Sequence, residues 1–477
     1  MTLAPSPSRP TLLEGVLLLS LLAALTAINP SGQGHAEIWN APREAGMTAF
    51  VLLALLGVLT RKSGPTHLGK PFLALLASLG FLLSGIAATV LSPQPIWSFT
   101  GYPSVGDGLR FWALGVAFAW AVYLALETGL VSPKRFAAAL FLGLALHALA
   151  VLPQVVNWKL DYTQTQGQTY VRCFDVAKSQ CQENPEATAS GVHGGQMPIG
   201  LTSHRGHAAG VLALLGLFLA GQYLSRPNPK LLFLFALGSL ALWLTQTRGG
   251  WLALWIPLLS LGLFGARYKQ TQGVWKLLTI GALTFGAYWG LAHLQLAEFR
   301  RVLPELGAGF TEANAYSSGR LELWQKALAA LPLRPLLGWG FDGFARAYPY
   351  VVDWNGKEKS RVPIALTPPV QVIQGEDRLI YLEDAKGLRL LAPSPYAKAH
   401  NWVLDLLLSV GVLGGLAYLL WLGLTLGQAT WEKLPWVLVL VGYILYGLTW
   451  YDSVHVTPIA LLALGASWVR NEVWQEA

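Results

Sequence analysis

Charge is scarce in this chain. Of its 477 residues, 12% are Asp, Glu, Lys or Arg and 53% are hydrophobic, and the mean hydropathy is +0.45. A soluble domain carries roughly a quarter charged residues, so a water-exposed globular architecture is excluded. Two cysteines are too few for a disulfide-framed scaffold. No H-E-x-x-H or comparable zinc spacing occurs, no cluster of acidic residues marks a Mg²⁺ site, and no glycine-rich phosphate loop is present. Nucleotide hydrolysis is therefore excluded as an energy source, and neither metal nor cofactor is expected. The formal net charge is +8, but the basic residues form no run or face, so the pattern gives no reason to expect nucleic acid as a partner.

What the chain has instead is apolar length. Runs of about 16–22 residues recur from end to end, enough to cross roughly 30 Å of hydrocarbon at 1.5 Å per residue. Inside lipid each backbone amide must be satisfied within its own segment, so these runs are helices. The fold class is an all-α polytopic membrane protein, with membrane lipids as constant partners. About twelve spans are expected, at 11–28, 45–60, 71–91, 110–130, 134–154, 207–224, 230–246, 249–265, 274–294, 401–421, 434–450 and 455–470. The first run follows a weakly basic start, as a signal peptide does. With so many later spans and no clear cleavage site, it reads as a retained helix.

The loops sort by charge. "RKSGPTHLGK", "SPKR", "SRPNPK", "ARYKQTQGVWK" and "TWEK" carry Lys or Arg, whereas "SPQPIWSFTGYPSVGDG" and "WYDSVH" carry none. The positive-inside rule then puts both termini in the cytoplasm. The chain divides into 1–294, nine helices with an outer loop at about 155–206; 295–400, a large extracytoplasmic loop; and 401–477, three helices and a cytoplasmic tail. Cys173 and Cys181 fall in the first outer loop, where a disulfide is permitted; two free thiols are the alternative. The large loop opens with a helical-looking stretch, and alternation within "VPIALTPPVQVIQGEDRLIYLEDAKGLRLLAPSP" suggests a small β-hairpin excursion.

A few charges sit where topology does not call for them. Within "LWLTQTRGGWLALWIPLL" the lone Arg248 lies in a very short outer turn, where an embedded arginine costs up to about 3 kcal/mol. It is either snorkelling to headgroup phosphate or held for an anionic ligand, which its planar fork of donors suits. The two glycines after it let another chain or a ligand approach. Arg320 follows Ser318 and Gly319 at the expected start of a helix, an anion-favouring place; an ordinary surface arrangement is the alternative. His204, Arg205 and His207 mark the outer end of the sixth span. His400 and Asn401 stand where the chain re-enters the membrane, as polar anchors or as part of a site. Gly411 and Gly414 on that re-entering helix allow tight packing. The loop aromatics Trp339, Phe341, Tyr348, Tyr350 and Trp354 either stack on sugar rings or pack the loop down. Arginines neutralising phosphate with a histidine as base make a metal-free group-transfer chemistry.

Three motifs, in this order, resemble the superfamily of O-antigen ligases, O-antigen polymerases and bacterial protein O-oligosaccharyltransferases. They are "TQTRGGW"; "SSGRLELWQKAL" followed by "PLLGWGFDGF"; and "HNWVLDLLLSVGVLGG", which fits the ligase-type pattern H-[NSQ]-x9-G-x-x-G through His400, Asn401, Gly411 and Gly414. The ligase pattern often continues T-x-x-G, where this chain has Gly415 and Tyr418. The resemblance implies a membrane-embedded, inverting glycosyltransferase of the GT-C class in the bacterial inner membrane. It would move a glycan from undecaprenyl diphosphate to an acceptor hydroxyl on a lipid core, a glycan or a protein at the extracytoplasmic face. Arg248 and Arg320 would stabilise the leaving diphosphate, with Arg205, His204, Ser318 and Gly319 contributing to substrate binding. His400 would take the acceptor proton, with Asn401 orienting it. A polymerase extending the glycan on its carrier is the near alternative. An anionic-solute transporter would place its charges near the bilayer midplane, and a peptidoglycan polymerase would rest on an outer aspartate such as Asp342 or Asp405.

Overall fold

The computed structural model describes residues 11–32, 35–60, 71–102, 105–155, 170–175, 180–184, 198–264, 271–293, 317, 319–351, 371–374, 380–384, 387–391 and 398–475. The helical-looking start of the large loop, together with Ser318 and Trp354, lies outside them. The fold is helical. In chain order the helices are α1 (Leu12–Thr26), α2 (Ala41–Thr60, entered through a π-turn at Ala36–Asn40), α3 (Phe72–Val90), α4 (Pro95–Thr100), α5 (Leu109–Glu127), α6 (Pro133–Gln154), α7 (Arg205–Ser225), α8 (Pro229–Leu244), α9 (Arg248–Phe264), α10 (Thr271–His293), α11 (Arg320–Ala330), α12 (Gly343–Ala347), α13 (Trp402–Leu426), α14 (Leu434–Gly447), α15 (Thr457–Ala466) and α16 (Asn471–Gln475).

Each of the twelve expected spans overlaps one of these helices. Six are long and apolar enough to cross a membrane: Ala36–Thr60, Phe72–Val90, Leu109–Glu127, Pro133–Gln154, Arg205–Ser225 and Trp402–Leu426. Five more are apolar but only 10–17 residues long. The outward faces show why the bundle belongs in lipid. Leu52, Leu55, Leu56 and Leu59 on α2, and Leu73, Leu76, Leu83 and Ile86 on α3, form exposed apolar stripes at helical spacing. Helix α7 is the opposite case. It packs against α6, α8, α9, α14 and α15 and is buried on nearly all sides, so it is apolar all round.

Two small antiparallel sheets interrupt the helices. β1 (Tyr170–Asp175) pairs with β2 (Gln180–Asn184), placing Cys173 directly opposite Cys181. Directly opposed residues lie about 4.5–5.5 Å apart at Cα, within disulfide range. In the large loop, β3 (Gln371–Gln374), β4 (Ile380–Asp384) and β5 (Gly387–Leu391) make a three-stranded sheet, one strand more than the hairpin expected there.

Helix α13 is broken. Gly411 has φ 67° and ψ −172°, which frees backbone groups on either side of it. Unpaired amides inside an apolar bundle are costly, and here a second segment satisfies them. Trp339 and Gly340 donate their N–H groups to the carbonyls of Leu408 (2.7 Å) and Ser409 (3.0 Å). Val412 and Leu413 donate to the carbonyls of Pro335 (2.8 Å) and Leu336 (3.3 Å). The stretch from Pro335 to Phe344, assigned by sequence to the outer loop, therefore enters the bundle. There Phe341 lies against Phe81 of α3 and Trp112 of α5, with ring centroids 6.2 and 6.3 Å away. Gly411 is thus a helix break that admits a second chain segment, beyond the helix-packing role expected of it.

A methyl at Gly411 would sit 2.2 Å from the Leu336 carbonyl oxygen on a left-handed backbone. Gly411→Ala is expected to destabilise the protein by about 2–5 kcal/mol, read as a lowered melting temperature in detergent. Gly423→Ala, on the same helix with nothing within 4 Å of the added methyl, is expected to match or exceed the wild type. Equal melting temperatures for the two variants would contradict the docking role of the break.

Candidate functional site

The polar residues of interest gather at one end of the bundle, around Trp450 in the turn between α14 and α15. The His400 ring meets Trp450 edge-on at 5.2 Å and Tyr451 edge-on at 4.9 Å. The His204 ring stacks on Trp450 at 5.4 Å, and the Arg320 guanidinium carbon lies 5.2 Å from the Trp450 ring centre. The negative face of an indole attracts a cation at this distance. His204 is exposed and His400, Arg205, Arg248, Arg320 and Tyr451 are half-buried, so they border a recess open to solvent.

Three helices begin on an arginine: α7 at Arg205, α9 at Arg248 and α11 at Arg320. This is the wrong end for a cation, because a helix N-terminus already carries partial positive charge. Neither α7 nor α9 has an acidic residue in its first turn. Burial, followed by the charge of Arg248 and that of Arg205, lowers Arg320 from its ordinary value, so the three cations share one field. The buried Nε of Arg320 has no hydrogen-bond partner among the described residues. Glycine makes the approach possible. A methyl at Gly206 would overlap the Trp450 ring at 2.1 Å, and one at Gly249 would meet the Thr449 hydroxyl at 2.3 Å. The glycines after the arginines thus serve close packing of chain on chain, setting the starts of α7 and α9 beside the Trp450 turn. Upstream, Gln154 accepts from the N–H groups of Ile199 and Gly200 (both 2.9 Å), and Arg43 donates to the Leu201 carbonyl, which fixes the turn that delivers Arg205.

His400 is held unusually firmly. Its φ is +57°, and the only other non-glycine residues with positive φ among those described are Gln246 and Asp342. Such strain persists only where surroundings over-determine it, and it clusters at functional sites. His400 Nδ1 lies 3.2 Å from the Lys398 carbonyl oxygen. A carbonyl can only accept, so Nδ1 carries the proton and Nε2 is the basic nitrogen. Burial, then the Arg320 charge, pushes the imidazole down to about 4, leaving it neutral at physiological pH. Asn401, beside His400, caps the following helix. Its side-chain oxygen caps α13 by accepting from Val403 (3.1 Å) and Leu404 (3.2 Å), and its amide donates to the Leu448 carbonyl at 3.2 Å.

Behind His400 lies a buried ion cluster. Lys398 Nζ, 3% exposed, sits 2.5 Å from Asp107 and 2.7 Å from Asp342. Asp342 also accepts from the Tyr102 N–H at 2.5 Å, and Asp405 accepts from the Ala399 N–H at 2.8 Å. Burial and the Asp342 charge raise Asp107. Burial also raises Asp342, but Lys398 and Arg346 outweigh it and hold that carboxyl below its ordinary range. The paired carboxylates raise Lys398 despite its burial.

Of the residues named from sequence, His400, Arg320, Arg248, Arg205 and His204 converge here. Gly319 caps α11 in a left-handed conformation, φ 79°. Trp339, Phe341 and Tyr348 are buried in packing, not presented to the recess. Sequence reasoning did not find Trp450 and Tyr451, nor Lys398 and its partner Asp107. It also missed Ser203, whose hydroxyl lies 2.9 Å from His455 Nε2 and 3.3 Å from His207 Nδ1. The signal was available: "WYDSVH" packs aromatic and titratable residues into a turn too short to need them. Among the described residues no group of three or more His, Cys, Asp or Glu is placed to hold a metal ion.

Residues 233–362 match the family model described as O-antigen ligase. That stretch runs from α8 past the re-entrant segment and includes Arg248 and Arg320; Arg205 and His400 lie outside it. No curated protein matches the chain.

The environment of His400 has a measurable consequence. Between the ordinary value of 6.5 and about 4, the unfolded chain binds a proton that the folded site refuses. The stabilisation from His400 is therefore full above pH 6.5 and is lost as pH falls through that window. Modification of His400 by diethyl pyrocarbonate, followed by peptide mass spectrometry against pH, is expected to show a midpoint near 4. Arg320→Gln should raise it, and a wild-type midpoint at the ordinary histidine value would overturn the assignment.

Proposed function

We propose, starting from the O-antigen ligase family domain that the chain carries, that this membrane glycan-processing protein is an inverting glycosyltransferase. It takes a glycan from undecaprenyl diphosphate and passes it to an acceptor hydroxyl, in the manner of an O-antigen ligase. The observation that carries the reading is the convergence of three helix-starting arginines with a neutral imidazole about one open recess. The acceptor oxygen forms a bond to the anomeric carbon, and His400 Nε2 receives the hydroxyl proton. The anomeric carbon–oxygen bond breaks, and its electron pair leaves on the lipid diphosphate. Charge therefore grows on the diphosphate where Arg205, Arg248 and Arg320 are placed to meet it, in a site poorer in water than bulk. Attack opposite a good leaving group inverts the anomeric centre, and with cations and base supplied by the chain, no metal enters the scheme.

The remaining helices complete twelve spans in a GT-C arrangement. The Lys- and Arg-bearing turns at 131–135, 225–230 and 430–433 lie at the end away from the recess, which supports a recess facing outward from the bacterial inner membrane, with both termini in the cytoplasm. A polymerase extending the glycan on its carrier is the second reading. It is favoured by Tyr418, which departs from the ligase pattern and is tied into the core by its hydroxyl, 3.1 Å from that of Tyr443.

In vesicles supplied with lipid-linked donor and acceptor, His400→Ala is expected to lower transfer by about 10²–10⁴-fold. Arg248→Lys and Arg320→Lys, which keep charge but lose the fork, should lower it by about 10²-fold or more. Transfer near the wild-type rate in His400→Ala would discard the base. In cells lacking the protein, long glycans left on the carrier support a ligase, and single repeats support the polymerase.

A further inference from the structure

We infer that Lys398, clamped between Asp107 and Asp342, is the positioning residue that holds His400 in place as the base of the proposed transfer; the inference rests on that reading. The cluster joins three segments distant in sequence. Asp107 precedes α5, Asp342 lies in the re-entrant stretch just before α12, and Lys398 precedes α13. Both Asp342 (φ 60°) and His400 (φ 57°) hold left-handed backbones, which relax unless their flanks are pinned. For His400 the flanks are pinned through Lys398. The ammonium is fixed at 2.5 and 2.7 Å by two carboxylates. The carbonyl of the same residue sets the imidazole tautomer at 3.2 Å. The next amide, of Ala399, is held by Asp405.

Cohesion alone does not explain such a cluster. A buried ion triad is commonly no more stabilising than apolar side chains of the same volume, and the surroundings of Phe341 show that this bundle packs apolar groups readily. What an apolar substitute would not supply is a fixed direction for the Lys398 carbonyl. The charged and titratable groups around the imidazole are Arg320 from α11, His204 and His207 at the start of α7, Lys398 and Tyr451. Those around the ammonium are Asp107, Asp342, Asp405, Asp452 and Tyr451, with Arg346 beyond Asp342.

The near-isosteric Asp107→Asn is the decisive variant, because it loosens the ammonium while Asp342 still holds it. Lys398→Met is the harsher one. In the full-length protein in vesicles, Asp107→Asn is expected to lower kcat by roughly ten- to a hundredfold, with the donor KM within about twofold of wild type. The pH midpoint of His400 modification by diethyl pyrocarbonate should move from about 4 toward the ordinary histidine value as the ring is released. Lys398→Met should show both effects more strongly; if it does not fold, Asp107→Asn decides. A lowered kcat with an unmoved His400 midpoint would mean that the cluster only holds the fold together, and the inference fails. An unchanged kcat with an unmoved midpoint overturns it equally. A shifted midpoint in a protein whose wild type transfers no glycan would retain the positioning role and discard the reaction.

Discussion

The break in α13 is the constraint from which the site follows. An intact helix would have no free carbonyls at Leu408 and Ser409, and Pro335–Phe344 would have no partner inside the bundle. Once docked, that segment carries Asp342 to Lys398 and brings Phe341 between α3 and α5. The ion cluster behind His400 and the small packed unit around Trp339, Phe344 and Tyr348 are thus consequences of one glycine backbone. A break of this kind is tolerable in an apolar bundle only when each exposed amide finds a partner.

The second principle is electrostatic misplacement. Cations at helix starts, near one another and without acids in the first turns of α7 and α9, are arranged against local stability. The far end of the bundle shows the ordinary solution. There Glu14 pairs with Arg135 and Glu127 with Arg470. The recess end has ion pairs of its own, Arg110 with Glu44 and Lys398 with Asp107 and Asp342, but it also gathers Arg205, Arg248 and Arg320 at helix starts. The indole of Trp450 and the glycines after Arg205 and Arg248 make that crowding possible without an internal counter-ion from those helices.

Much of the helix pattern was legible because apolar length is a strong signal, and Arg248, Arg320 and His400 stood out because topology gave no reason for them. The route by which they meet was not legible. "PLLGWGFDGF" reads as turn-rich loop by every local rule, and its burial depends on a partner some seventy residues later in the chain. Lys398 drew no reading from the sequence, since nothing local announces two carboxylates from elsewhere. The helix cap that Asn401 makes was not read from the sequence, because a helix cap and a site residue are the same letter at the same position. Trp450 lay in a turn read only for its lack of positive charge.

The depressed basicity of His400 carries a meaning for timing. Burial weakens the imidazole most and the Arg320 charge adds to it, and in the proposed transfer that same charge would receive a diphosphate. An anion seated beside Arg320 would cancel the part of the lowering that Arg320 causes, so in the proposed transfer the ring would become a better proton acceptor once the donor has arrived. Before the donor arrives the ring would be a feebler base, and an acceptor or a water molecule that entered first would meet less to activate it. Under the proposed transfer, order of addition and protection of the activated sugar from premature hydrolysis would both follow from where α11 begins.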